Sequence, residues 1–483
     1  MASIASVSTN SNTSELTKGY KSAFAILSLL FFMWGFITCL NDILIPYLKA
    51  VFDLTYFQAM LIQFAFFGAY FIGSAIYFFI SMTLGDPIAK MGYKNGIILG
   101  LVISALGCAL FIPAAAYLMY GFFLTALFCL GIGLTILQIA ANPYVSILGS
   151  SKTASSRLNL AQAFNSFGYT IAPVIGGYLI FNFFGGDDVL GADALKIPYL
   201  GLSILFLLLA VVIKFYPLPV VMHNETVKKG AGALKHRHLV LGMIAIFMYV
   251  GGEVAIGSLL VNFFGLPEIA GLGETEASTF LSFYWGGTMI GRFLGAISLS
   301  SIANVKKFGL MSVTAVATFL VIYGVVYINT GISIKEIAPF MLFIVLNLLA
   351  FRLGNSNPQR TLAIFSGIVM VLLVVVLMTT GKVAFWCVIS IGLFNSIMWS
   401  NVFTLAIAGL GEYTSQASSL LVMAILGGAL MPLIQGALAD VVGIQMSFAL
   451  TIICYAFLGY YGIWGYKPRK QESKKARKQD QLN

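Results

Sequence analysis

Three charged residues, Asp42, Glu253 and Arg292, fall well inside long apolar runs, where most side chains are Leu, Ile, Phe and Val. An Asp at the centre of a lipid-spanning helix costs about 3 kcal/mol on insertion scales, and binding a proton or another cation relieves that cost. A carboxylate in such a place is either the coupling group of an ion-driven process or a satisfied structural group. Asp42 stands beside Asn41 near one end of its run. Glu253 follows Gly251-Gly252, a pair that thins a helix and can let water or a ligand approach. Asp42 and Glu253 are therefore the expected proton or cation-coupling pair, with a buried ion pair or structural hydrogen bond as the alternative for each. Arg292, four residues after Thr288, fits a gating or structural role, which snorkelling toward the interface would also satisfy.

Uncharged polar residues cluster in the same runs. Gln138 and Asn142 are four apart and share a helix face, while Asn159, Gln162 and Asn165 repeat at three. An amide both donates and accepts, so a converging set can replace the hydration shell of a neutral polyol; the competing role is glue between helices. Asn395, Trp399 and Asn401 place a comparable set later in the chain, and Trp34, Trp285 and Trp399 offer faces that can stack on a sugar ring or pack against neighbours. The expected substrate-binding set is Asn41, Gln138, Asn142, Gln162, Asn165, Asn395 and Trp399.

These residues need helices to hold them. The chain has 483 residues, 59% hydrophobic and only 9% charged, against roughly 25% charged in soluble domains, so a water-soluble globule is excluded. Runs long enough to cross the bilayer, about 20 residues each, lie at 23–49, 57–83, 95–116, 118–148, 157–183, 197–216, 239–265, 276–300, 308–329, 337–352, 361–380, 383–409, 415–437 and 445–466. Their continuity implies an all-α membrane protein rather than a barrel. If the N-terminus is cytoplasmic, 22 of the 27 Lys and Arg residues face the cytoplasm, four face outward, and Arg292 lies within a span. That bias is what the positive-inside rule requires and places both termini in the cytoplasm of a multi-pass protein of the cell (inner) membrane. The outer loops carry acids such as Asp187, Asp188, Asp193, Glu268, Glu274 and Glu276.

The net charge of +10 is spread over loops and a basic tail, which argues for topology and against nucleic acid. Five scattered cysteines and three histidines confined to one polar stretch, His223, His236 and His238, supply neither a disulfide framework nor a metal site. No phosphate-binding loop and no HExxH occurs, no removable signal peptide is expected because the Ser/Thr/Asn-rich residues 1–18 lack a basic n-region, a short apolar region and a cleavage site, and no cofactor is expected beyond a coupling ion, H+ or less favourably Na+. An enzyme is not expected. The partners would be the bilayer and a small neutral solute, with the chain acting as a monomer.

The segment 217–238 divides a block at 23–216 from one at 239–466, with polar tails at 1–22 and 467–483. Asn142-Pro-Tyr-Val-Ser-Ile-Leu-Gly followed by Ser155-Ser156 and Gly168 echoes Asn401-Val-Phe-Thr-Leu-Ala-Ile-Ala-Gly followed by Ser415-Gln-Ala-Ser-Ser and Gly427-Gly428. The echo makes the blocks repeats of six and eight spans, the added pair lying at 308–352.

The strings Trp34-Gly35 with Cys39-Leu-Asn41-Asp42-Ile43-Leu44, Gln138-Ile-Ala-Ala-Asn142-Pro143-Tyr144, Arg157-Leu-Asn159-Leu-Ala-Gln162-Ala-Phe-Asn165-Ser-Phe-Gly168 and Gly251-Gly-Glu253-Val-Ala-Ile-Gly257 resemble the fucose–proton symporter family of the major facilitator superfamily. The resemblance implies two helical bundles around a central cavity, worked by alternating access. It implies a protonated aspartate at Asp42 and cavity amides at Gln162 and Asn165. Gln138 stands where fucose carriers have a glutamate, a glutamine that is similar to the glucose/galactose transporter subgroup, and Glu253 is an acid that fucose carriers lack. The expected activity is cation-coupled import of glucose or galactose, with L-fucose import, sodium coupling, or a non-transporting sugar sensor as alternatives.

Overall fold

A computed structural model describes residues 13–84, 87–148, 154–184, 192–219, 232–300, 302, 304–410 and 414–468. The tail before residue 13, the acids Asp187 and Asp188, most of the 217–238 connection and the basic tail after residue 468 lie outside the described residues.

The first block contains α1 (Thr13–Phe52), α2 (Tyr56–Leu84), α3 (Tyr93–Tyr117), α4 (Tyr120–Ile147), α5 (Ala154–Gly177, continued by a wider π turn over Tyr178–Phe183) and α6 (Lys196–Phe215). The second contains α7 (Arg237–Gly265), α8 (Glu274–Ser298), α9 (Asn304–Thr330), α10 (Ala338–Gly354), α11 (Pro358–Met378), α12 (Gly381–Ala406), α13 (Thr414–Val442) and α14 (Ile444–Gly465). The all-helical expectation is met, and the helices overrun their apolar cores by a few residues. Successive rods alternate in direction. The end at which α1 starts and α14 finishes is called the terminal face below, and the other the distal face.

Within the first block α1 packs on α5, α4 on both α2 and α3, and α3 on α6. The second block repeats this pattern with α7 on α13, α12 on α8 and α11, and α11 on α14. Thus α11 occupies the place of α3, and α9 and α10 are additional, packed against the outside of α8, α11 and α12. The blocks meet where α5 lies along α8 and α2 along α13, with α1 touching α7.

Glycine makes the tightest crossings possible, because only a residue without Cβ lets backbones approach this closely. A methyl on Gly168 would overlap the Phe32 carbonyl oxygen of α1, and one on Gly427 would overlap the Phe247 carbonyl oxygen of α7. The two members of the sequence echo therefore mark corresponding α1–α5 and α7–α13 crossings.

Eleven helices among the described residues are long and apolar enough to cross a membrane; α5 and α8 do not reach that level, and α10 is apolar but short. The reason is position. Helix α8 is buried along most of its length, and both α5 and α8 spend their polar residues on the seam between blocks, away from lipid.

Candidate functional site

Between the blocks lies a cavity of about 80 Å³. The first block lines it with Trp34 and Thr38 of α1, Phe67 and Tyr70 of α2, Gln138 of α4, and Gln162, Asn165, Ser166 and Tyr169 of α5. The second contributes Tyr249, Val250 and Glu253 of α7, Trp285 and Arg292 of α8, Trp399 of α12 and Ile425 of α13. One wall is therefore neutral amide and hydroxyl, and the facing wall carries both charges.

Helix α8 supplies both ends of this space. Trp285 and Arg292 are seven residues apart, or about 10 Å along the axis. On the distal side, the Trp285 ring lies 4.5 Å from that of Tyr169 and its Nε1 donates to Asp42 Oδ2 at 3.2 Å. Gln63 Nε2 donates to the other oxygen, Oδ1, at 2.9 Å and also to Ser258 Oγ at 3.0 Å, while Cys39 Sγ sits 3.9 Å from Oδ2. These bonds stitch α1 and α2 to α7 and α8. Asp42 is 4% exposed, and its hydrogen-bonding partners are all neutral.

Toward the terminal face, Arg292 reaches across the seam. Its Nη1 donates to the Gln162 carbonyl at 3.1 Å and to Asn165 Oδ1 at 3.3 Å, and its Nε to the Ser396 carbonyl at 3.3 Å. Ser396 lies where α12 breaks, between Asn395 and Met398. A broken helix frees carbonyls that need donors. Arg292 serves one, and Asn347 of α10 serves the Leu393 carbonyl at 3.0 Å.

Of the residues singled out in the sequence, Gln138, Gln162, Asn165, Glu253, Arg292 and Trp399 come together on the cavity. Four expected to work there do not line it. Asp42 is about 12 Å beyond Trp34 along α1 and is covered by Trp285. Asn41, one residue round the helix, is fully buried, and among the described residues neither its Oδ1 nor its Nδ2 has a hydrogen-bond partner. Asn142 is one turn past Gln138 toward the terminal face. Asn395 donates to Tyr284 Oη at 3.1 Å, a bond between α12 and α8. The glycine pair before Glu253 admits neighbours rather than solvent: a methyl on Gly251 would overlap Met431, and one on Gly252 would lie 3.2 Å from Cys454 Cβ. Sequence reasoning missed Tyr249 and Gln63. Tyr249 was signalled by its four-residue spacing from Glu253, and Gln63 by being an amide well inside the apolar run 57–83, which α2 buries.

The sequence pattern of the Major Facilitator Superfamily matches residues 23–344. The chain belongs to this superfamily. It is 46% identical to a glucose/galactose transporter of Brucella abortus, over 93% of this chain and 95% of the relative, and 40% identical to a putative glucose/galactose transporter of Helicobacter pylori, over 92% and 97%. It is 31% identical to the L-fucose-proton symporter of Escherichia coli over 92% of each chain. The crystal structure of the Escherichia coli fucose:proton symporter superposes with a TM-score of 0.64 at 29% identity, covering 92% of this chain and 99% of that one.

As a member of the Major Facilitator Superfamily, the protein is a membrane transporter rather than an enzyme, and the superposition spans both blocks, including the seam. In the present conformation that seam is bridged on both sides of the cavity, by Asp42 and Gln63 distally and by Arg292 toward the terminal face. Hydrogen bonds thus tie the two blocks together on both sides of the central space.

Proposed function

We propose that this protein carries a neutral hexose, glucose or galactose, into the cell together with a proton. It would work as a monomer in the cell (inner) membrane with the terminal face cytoplasmic. The relatives named for glucose/galactose and L-fucose transport support the substrate class. The amide wall of Gln138, Gln162 and Asn165 supports it chemically, since these groups match hydroxyls that both donate and accept.

The observation that carries the coupling is the clamp on Asp42. Two N–H groups, one from each block, point at its carboxylate. Such donors bind an anion strongly and a neutral acid weakly, so the ionised residue holds the distal face shut and proton binding loosens it. The same donors oppose a metal cation, which needs oxygen ligands; this favours H+ over Na+. Proton uptake from outside then favours the distal-open, sugar-binding form, and closure around the sugar precedes release to the cytoplasm. Glu253, on the cavity wall, takes the sugar side of the coupling. Arg292 forms the gate toward the cytoplasm, and α9 and α10 buttress the second block.

Purified protein in liposomes tests the reading. With one-to-one coupling, a gradient of one pH unit with the outside acidic corresponds to about 1.4 kcal/mol, so labelled glucose or galactose accumulates about tenfold. A proton-flux trace should respond as each sugar is added. Accumulation driven by sodium instead, or flux for L-fucose alone, would overturn the ion or the sugar respectively.

A further inference from the structure

Glu253 does not hang freely on the cavity wall. Tyr249, one turn earlier on α7, donates from Oη to Glu253 Oε1 at 2.6 Å. The Glu253 backbone carbonyl accepts from Tyr284 Oη at 3.1 Å. Close packing of Gly251 on Met431 and of Gly252 on Cys454 fixes the rotation of the helix beneath it. Among the described residues no hydrogen bond reaches the second carboxylate oxygen, and Glu253 forms no ion pair. Arg292, on the same cavity, is already committed to the Gln162 and Ser396 carbonyls.

The rest of the polar lining explains why this matters. Gln138, Gln162 and Asn165 each carry a donor and an acceptor, so they adapt to a hydroxyl, a water or a reorganised neighbour. An ionised carboxylate only accepts. One of its oxygens is filled by a phenol, and the other, on the cavity wall, is an acceptor open to a ligand hydroxyl.

We propose that Tyr249 is a positioning residue that aims the unshared oxygen of Glu253 at one particular hydroxyl of the bound sugar. The pair is then the specificity element of the site, selecting a ring hydroxylated at that position over the corresponding deoxy sugar. This deepens the hexose-transport reading and rests on it. The phenol prevents the carboxylate from rotating to another hydroxyl, so the discrimination belongs to one ring position rather than to polarity in general.

The test is glucose counterflow in liposomes, competed with the monodeoxy analogues of glucose in turn. In the wild type, removal of one hydroxyl should weaken competition about tenfold or more, the scale of a lost hydrogen bond to a charged group. In Tyr249→Phe that single penalty should shrink to about threefold or less, with the apparent KM for glucose rising more than the maximal rate falls. Glu253→Gln, which keeps the shape and replaces the anionic acceptor, should lose discrimination at the same position and no other. An unchanged deoxy profile in Tyr249→Phe, or one common loss across all analogues, would overturn the proposal. If the wild type exchanges no hexose, the transport reading falls and the inference with it; exchange with an unaltered Tyr249→Phe profile sinks the inference alone.

Discussion

Trp285 Nε1 meets Asp42 Oδ2 at 3.2 Å across the seam between the two blocks, so a single indole both roofs the cavity and holds the carboxylate. The bond joins occupancy of the cavity to the state of a residue that does not line it. Asp42→Asn removes the charge that attracts both donors while preserving size. We expect the variant to shift toward the distal-open form and to lose gradient-driven accumulation, while counterflow, which needs no net proton movement, persists. Paired labels at the distal ends of α2 and α13 should report the shift. In the wild type the distal separation should grow as pH falls, because protons bind the open form better; in Asp42→Asn it should no longer respond. Full accumulation by this variant would dismiss Asp42 as the coupling group.

Asp440, near the end of α13, accepts hydrogen bonds from the backbone N–H groups of Tyr56 and Phe57, both at 3.0 Å. These are the first orphan donors of α2, so a carboxylate of one block caps a helix of the other. The cap can exist only while the distal face is closed. Asp440→Ala should therefore destabilise the closed form by about 1 kcal/mol, roughly a fivefold change in population. Because the residue is far from the cavity, glucose affinity should alter only through that population. An unchanged distal distance distribution would show that the cap contributes nothing to gating.

The architecture was legible because lipid leaves few options for the backbone: long apolar runs, separated by loops with bases on alternate sides, had to be helices. The cavity amides were legible for the same reason, since Gln138, Gln162 and Asn165 are out of place in hydrocarbon unless they face inward. Rotation about each helix was not. Asn41 and Asp42 are neighbours, yet packing turns one into an unpartnered pocket and the other into the seam. The covering of Asp42 depends on Trp285, which lies 243 positions away in the chain, and no local pattern could announce it. Gly251 and Gly252 suggested access to Glu253, whereas the partners that fill the space beside them come from α13 and α14.

The added helix α10 touches the working parts through Asn347, which is fully buried and donates to the Leu393 carbonyl just before the break in α12. Asn347→Leu should remove one of that carbonyl's two side-chain donors, leaving Ser396 Oγ at 2.9 Å, a cost of about 1 kcal/mol. The expected result is a melting temperature lower by several degrees together with weaker glucose protection against heat, because the displaced break carries Trp399 and the Ser396 carbonyl with it. Reduced stability with wild-type glucose protection would confine α10 to a supporting role.

Arg292 provides the sharpest contrast with Asp42. Its guanidinium serves three carbonyl or amide oxygens from α5 and α12 at once, an arrangement a planar fork satisfies and a single ammonium does not. Arg292→Gln should remove the bridge on the terminal-face side of the cavity and leave the Ser396 carbonyl short of a donor, so both accumulation and counterflow should fall by about tenfold or more. Arg292→Lys should recover only part of the rate, since it restores charge but not geometry. Loss of both activities in Arg292→Gln, set against loss of accumulation alone in Asp42→Asn, would separate gating from coupling. Equal behaviour of the two variants in counterflow would contradict that division, because the clamp on Asp42 and the bridge of Arg292 close opposite sides of the same cavity.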